Sequence, residues 1–175
     1  MTSRPFQVAQ AEEVARAFAT EGVDYLFLGK GAAILLGYPG TTQDVDVFAR
    51  RTPENGKRIV SALRKMGFAV EEQLAQAIVA GKDFVQIKDG PFDLDVVFAP
   101  DGISSFDQAL ARAVIIDQFR VANLRDIIAS KRASGRRKDF VELPMLEAFR
   151  VEYEKRNAPP LLSASDIANR RTQKP

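Results

Sequence analysis

Four aspartates occur as two Asp-x-Asp pairs inside short apolar segments. Asp44 and Asp46 lie in the run Asp-Val-Asp-Val-Phe, and Asp93 and Asp95 lie in Phe-Asp-Leu-Asp-Val-Val-Phe. Side chains alternate between the two faces of a β-strand, so the members of each pair point the same way. Carboxylates on an apolar strand are costly unless a positive group meets them. Two of them at i and i+2, with a third from an adjacent strand, form an open site for divalent cations that suits phosphoryl or nucleotidyl transfer.

The composition narrows the choice of metal and of chemistry. The chain has 175 residues and contains neither cysteine nor histidine. Disulfides, thiolate or imidazole metal sites and serine-histidine triads are therefore excluded. A metal must be held by oxygen ligands, which favours Mg²⁺ or Mn²⁺.

A glycine-rich segment, Gly29-Lys30-Gly31, precedes the first aspartate pair. Two glycines let the backbone approach a phosphate closely, and a helix that follows them presents its N-terminal amides. The lysine adds a point charge for a triphosphate, or it is an exposed turn residue.

Hydrophobic spacing predicts the elements around these residues. The N-terminal half begins with a helix that carries the apolar stripe Ala11, Val14, Ala15 and Phe18, followed by a strand at 25–28, a short helix at 32–36 and a strand at 44–48. Thr52-Pro53 then opens a helix whose inward residues are Ile59, Ala62, Leu63 and Met66. Residues 68–83 are predicted to contain a strand followed by a helix or loop. Strands at 84–88 and 92–98 are joined by Asp89-Gly90, a two-residue hairpin signal.

The C-terminal half is predicted to be mainly helical. It has a helix capped by Ser105 with Phe106, Ala109, Leu110 and Ala113 inward, a strand within 114–121, a helix capped by Asn123 with Leu124, Ile127 and Ile128 inward, and a helix over about 138–156 that is interrupted near Pro144. This order predicts an α+β domain over 1–157, with a small mixed sheet and a helical C-terminal part over about 104–157, followed by a flexible tail at 158–175.

Lys131 stands out in the C-terminal part because it lies seven residues after Leu124, on the inward face of the predicted helix. A lysine at such a position requires an anionic partner or ligand, or it extends its ammonium group to solvent. The surrounding residues 120–138 contain six further basic side chains and one acid, Asp126. This charge suits a phosphate-rich partner, although a solvated helical face has the same composition.

Two segments together resemble a known family. The run LGKGAAILLGYPGTTQDVDVF is similar to the signature of the nucleotidyltransferase superfamily related to DNA polymerase beta: small residues that open a helix, an Asp-x-Asp strand and a third Asp on a neighbouring strand. The run IIASKRASGRRKDFVELPMLEAF resembles the C-terminal helices of a bacterial branch that includes toxin-antitoxin and abortive-infection nucleotidyltransferases. The similarity spans about residues 20–150 and implies the nucleotidyltransferase fold.

The resemblance implies a role for each matching residue. Asp44 and Asp46 correspond to ligands of both metals, and Asp95 to the third carboxylate and activator of the acceptor hydroxyl, with Asp93 as its backup. Nucleotide-binding roles fall on Gly29, Lys30, Gly31, Thr42, Lys131 and Asp139. The family usually has Gly or Ser where this chain has Lys30, so two outcomes are open: stronger nucleotide binding, or a crowded loop with altered or lost catalysis.

The expected function is transfer of a nucleoside monophosphate from an NTP such as ATP to a hydroxyl of tRNA or of a protein, with Mg²⁺ or Mn²⁺, and a toxin-antitoxin setting fits it. Two alternatives remain: a nucleotide- or RNA-binding module without turnover, and an antitoxin-like protein that covers or modifies a cognate toxin. The sequence has no apolar run long enough to span a membrane and no signal-peptide core, which favours the cytoplasm.

Overall fold

The structure, a computed structural model, describes residues 5–157. The expected tail at 158–175 lies outside them. The elements in chain order are α1 Val8–Glu21, β1 Tyr25–Leu28, α2 Gly29–Leu35, β2 Val45–Ala49, α3 Pro53–Lys65, α4 Glu72–Val79, β3 Phe84–Ile87, β4 Leu94–Val97, α5 Phe106–Ala111, β5 Val114–Ile116, β6 Phe119–Val121, α6 Leu124–Ser134 and α7 Arg137–Asn157. This confirms the α+β class.

The strands form one mixed six-stranded sheet in the order β3-β4-β2-β1-β6-β5. Strands β2 and β4 are parallel neighbours, β1 and β6 are a second parallel pair, and the other neighbours are antiparallel. The register of the central pair sets Asp46 directly beside Asp95. The two Asp-x-Asp segments therefore meet in the middle of the sheet.

Side-chain alternation gives the two faces of the sheet different roles. On one face Tyr25 of β1 stacks edge-on against Phe18 of α1, and α1 in turn packs against α3. On the opposite face Leu28 is paired with Asp46. Helix α2 packs there against β1, β2 and α6, and α6 packs against α7. The acidic pair thus lies on the face that α2, α6 and α7 share.

Most of the predicted stripes and caps are confirmed. The four stripe residues of α1 are buried, as are Ile59, Ala62 and Leu63 of α3. The Thr52 hydroxyl accepts a hydrogen bond from the Asn55 amide at 3.1 Å, and the Asn123 side chain accepts one from the Arg125 amide at 2.9 Å. Leu110 is a wrong assignment, because it is 37% exposed.

Two predictions for the segments on either side of β3 are wrong in detail. The β3–β4 hairpin exists, but Ile87 pairs with Leu94, so the connection spans 88–93 rather than Asp89-Gly90 alone. Pro91 has no amide to donate to a ladder, and Phe92 turns into the core, where its ring meets Phe68 at 5.2 Å. The segment 68–83 was predicted as a strand followed by a helix or loop. It contains helix α4 but no strand, and the Ala69 amide donates a single 2.7 Å hydrogen bond to the Asp89 carbonyl.

The other corrections concern the segments that flank the site. The predicted strand at 114–121 is a hairpin, because Asp117 adopts φ 51° and separates β5 from β6. Helix α7 is continuous through Pro144, since Leu143 and Leu146 on either side are buried and hold it against the core. Helix α2 begins at Gly29, so the two glycines form its first turn rather than a turn before it.

None of the helices within 5–157 combines the length and the apolar character that crossing a membrane requires.

Candidate functional site

A pocket of about 680 Å³ opens over the sheet face that carries Asp46 and Asp95. The ends of β1 and β2, the loop at 41–44, strands β3 and β4, and helices α6 and α7 contribute to its wall. It gathers most of the residues that the sequence nominated: Gly29, Lys30, Thr42, Asp44, Asp46, Asp95, Lys131 and Asp139. These residues are separated by up to about a hundred positions in the chain, so the fold alone brings them together.

Asp46 and Asp95 form a close carboxyl pair on the floor of the pocket. Burial, and then the negative charge of Asp95, raises the pKa of Asp46 to about 8. Burial, and then the charge of Asp44, raises the pKa of Asp95 to about 6, while a hydrogen bond from Asp46 acts in the opposite direction. Asp46, whose pKa is the higher of the two, therefore stays protonated at neutral pH and donates a hydrogen bond to the Asp95 carboxylate. At neutral pH the pair keeps a proton that a cation can replace.

Asp44 and Asp93 contribute charge around this pair. Asp44 lies directly before β2, lines the pocket and raises the pKa of both paired carboxyls. Asp93 raises the pKa of Asp95 but does not line the pocket, and its carbonyl accepts the Val45 amide at 3.1 Å. Within residues 5–157, no three acidic side chains converge tightly enough to hold a metal ion as they stand. The three-carboxylate metal site remains a prediction, in which the Asp46–Asp95 pair would be two of the three ligands.

Gly29 is required at its position for two reasons. Its φ of 71° is in the left-handed region, and a Cβ added there would come within 2.2 Å of the Asp46 carboxylate oxygen. The backbone of Gly29 therefore packs directly on the carboxylate. Gly31 is different: it is buried, has ordinary space for a Cβ between the Asp44 carbonyl and the Phe6 ring, and does not line the pocket.

Lys30 crosses the pocket from α2 to α7. Its ammonium group donates to the Glu142 carboxylate, and its side chain is 20% exposed. The loop around Gly40 lies over its aliphatic stem, because a Cβ at Gly40 would approach Lys30 Cε to 3.2 Å. Lys30 is thus part of the pocket wall, and its charge faces the site rather than bulk solvent.

Lys131 and Asp139 form a buried ion pair beside the acidic floor. The expected burial of Lys131 and its anionic partner are both confirmed: Nζ lies 3.2 Å from Asp139 Oδ1, and the aspartate is 1% exposed. Burial alone would raise the pKa of Asp139, but hydrogen bonds from Ser134 and Arg136 and the charge of Lys131 outweigh it and lower that pKa. The charge of Lys131 also opposes the rise in the pKa of Asp46, although burial and the neighbouring carboxylates outweigh it. Helices α6 and α7 therefore bring a positive group to the carboxyl pair.

Sequence reasoning missed several pocket residues. Ser134 bonds Asp139 at 2.8 Å, and Glu142 contacts both Lys30 and Lys131. Glu142 follows Asp139 by three positions, which places the two on one helical face, so the spacing offered a usable signal. Strand β3 contributes Phe84 and Gln86, and the register of Gln86 opposite Asp95 becomes known only when the hairpin is placed.

The pocket carries more acid than base. Six acidic and four basic side chains line it, which gives an excess of two negative charges when all are ionised. Such a pocket repels a polyphosphate unless cations are bound with it.

No protein-family model matches this chain, and no match to it was found among curated proteins. Among solved structures, it is similar to the crystal structure of JHP933 from Helicobacter pylori, with a TM-score of 0.52 at 13% sequence identity. The similarity covers 83% of this chain and 66% of that one, so this chain spans just under two thirds of the length of JHP933. At this identity the likeness concerns the fold alone.

Proposed function

We propose that this protein has the nucleotidyltransferase fold and transfers a nucleoside monophosphate from an NTP to a hydroxyl of an RNA, such as tRNA, or of a protein. The observation that carries the proposal is the in-register pair Asp46 and Asp95, whose pKa values are raised by burial and neighbouring negative charge, in a pocket that Lys30 and Lys131 also line. A structural role explains such a pair poorly, because two adjacent carboxyls on a partly buried sheet face are unfavourable without a cation.

The residues present fit Mg²⁺ or Mn²⁺. The donors are carboxylate oxygens, which both ions prefer, and the excess negative charge of the pocket favours cation entry. Asp44, Asp46 and Asp95 would hold the metal. A bound divalent ion neutralises charge on the phosphates and lowers the pKa of the acceptor hydroxyl.

The remaining roles in the proposed reaction, phosphate binding and proton acceptance, fall to side chains of the pocket. Lys30 and Lys131 would bind the phosphates, and Asp95 would accept the proton of the acceptor hydroxyl at a carboxylate oxygen. The acceptor oxygen then forms a bond to the α-phosphorus, the bond from that phosphorus to the bridging oxygen breaks, and pyrophosphate leaves. Apolar groups of Phe84 and Val97 beside Asp95 leave the acceptor an uncharged surface to approach.

A labelling experiment tests this function. Each α-³²P-labelled NTP is incubated with the protein, Mg²⁺ or Mn²⁺, and either total tRNA or a whole-cell protein extract. We expect label on one acceptor class, and a loss of about 100-fold or more in Asp46→Asn and Asp95→Asn, which remove a ligand and the proton acceptor. Asp101→Asn is the matched control, since Asp101 also lines the pocket but is exposed at its rim.

Absence of label on every acceptor, with both metals, would overturn the enzymatic proposal. Metal-dependent NTP binding without transfer would instead identify a nucleotide-binding module. A stable complex with a cognate protein, without either activity, would identify an antitoxin-like role.

A further inference from the structure

Two lysine ammonium groups from different helices reach the same carboxylate in the pocket. Glu142 Oε1 of α7 accepts from Lys30 Nζ of α2, and Glu142 Oε2 lies 3.6 Å from Lys131 Nζ of α6. All three side chains line the pocket that holds the carboxyl pair. An oxyanion with two oxygens is thus held between two cations, which is the arrangement that a phosphate group would adopt there.

The two acids that neutralise these lysines differ in their freedom to move. Asp139 is 1% exposed and accepts hydrogen bonds from Lys131, Ser134 and Arg136, so it is fixed. The Glu142 side chain is 27% exposed, and both of its contacts above are to the flexible ends of lysines. Glu142 can therefore turn outward by side-chain rotation, whereas Asp139 cannot leave without exposing a buried ion pair.

We propose that Lys30 and Lys131 form a phosphate-binding site in which Glu142 is a built-in competitor. A phosphate group of the ligand binds both ammonium groups when Glu142 turns toward solvent. The proposal rests on the proposed function in one respect, because it takes the ligand to be the triphosphate of an NTP. Its consequence is specificity by charge: a weakly charged ligand does not displace Glu142, and a polyphosphate with its cation does.

The charge of Glu142 also affects a neighbouring tyrosine, Tyr38. Burial, and then the charge of Glu142, raises the pKa of the neighbouring Tyr38, while Lys30 lowers it. Tyr38 packs against Phe149 of α7, with ring centroids 5.5 Å apart. This contact does not involve the Glu142 carboxylate, so outward rotation of Glu142 would leave it intact.

The test measures binding without any acceptor. Inorganic tripolyphosphate is titrated with Mg²⁺ into the full chain by isothermal calorimetry, and Glu142→Gln is expected to bind it about tenfold more tightly, the factor of one charge-assisted hydrogen bond. Adding Lys30→Met to that variant should remove the gain. Glu147→Gln is the matched control, since Glu147 lies on the same helix, pairs with Arg132 and Arg150, and is outside the pocket.

Unchanged or weaker binding by Glu142→Gln would overturn the inference and would mean that Glu142 holds the lysines in position. Circular dichroism checks folding, and Glu142→Ala, which removes the same charge, must show the same tightening. Tighter tripolyphosphate binding with no nucleotide transfer would leave the inference standing and count against the proposed function. Transfer by the wild type without tightening in either variant would count against the inference alone.

Discussion

Asp46→Asn should stabilise the metal-free protein, although it removes a proposed metal ligand. The pKa of Asp46 is raised from 3.8 to about 8 on folding. A carboxyl with a raised pKa costs nothing below 3.8, where both states are protonated. The loss in the free energy of unfolding then grows as pH rises toward 8, because in this range the unfolded chain releases the Asp46 proton and the folded protein keeps it. Above pH 8 both states release the proton, and the loss is constant. Since pH 7 lies about three pH units above 3.8, at about 1.36 kcal/mol each, the upper limit there is about 4 kcal/mol.

The assay is urea denaturation in EDTA at several pH values. We expect the free energy of unfolding of Asp46→Asn to exceed that of the wild type by about 2–4 kcal/mol at pH 7 and by little at pH 4. Asp101→Asn, an exposed pocket residue, should change it by less than about 0.5 kcal/mol. Mg²⁺ should then stabilise the wild type more than the variant. A stability difference that stays constant from pH 4 to pH 8 would refute the reasoning.

Two further substitutions test the geometry of the pocket. Gly29→Ala should destabilise the protein by about 2 kcal/mol or more and weaken Mg²⁺ binding, since it adds steric overlap with Asp46 to backbone strain. Gly22→Ala has nearly the same φ with open space around it, so equal effects of the two in denaturation and metal titration would contradict this. Lys131→Met should lower the free energy of unfolding by about 1–3 kcal/mol, because it breaks the buried ion pair with Asp139. Lys155→Met, which breaks the exposed pair with Glu152, should change the free energy of unfolding by under about 1 kcal/mol in the same assay. Equal losses would show that burial of the Lys131 pair contributes nothing.

Local signals were sufficient for most elements of this fold. The stripe of α1 and the caps at Thr52 and Asn123 need only neighbours within one or two turns, and each is confirmed. The signals failed where a distant contact decides the outcome. Phe92 leaves its strand for the ring of Phe68, and Pro144 stays helical because its neighbours are buried by the core. In each case, tertiary packing outweighs a local preference.

In the candidate site, too, local spacing predicts some features and tertiary contacts decide the others. Alternation predicts that Asp44 and Asp46 face the same side, and both line the pocket although Asp44 lies directly before β2. The position of Asp95 beside Asp46 depends on β4 joining β2 in parallel, which no local spacing specifies. Lys131 was predicted because an inward-facing lysine needs an acidic partner. The same argument holds in reverse for Asp139, a buried acid that needs a basic partner. Glu142 could have been reached from Asp139 by helical spacing, yet its second partner, Lys30, is 112 residues away. A sequence thus reports which charges need a counterion, and the order of strands and helices decides which counterion they share.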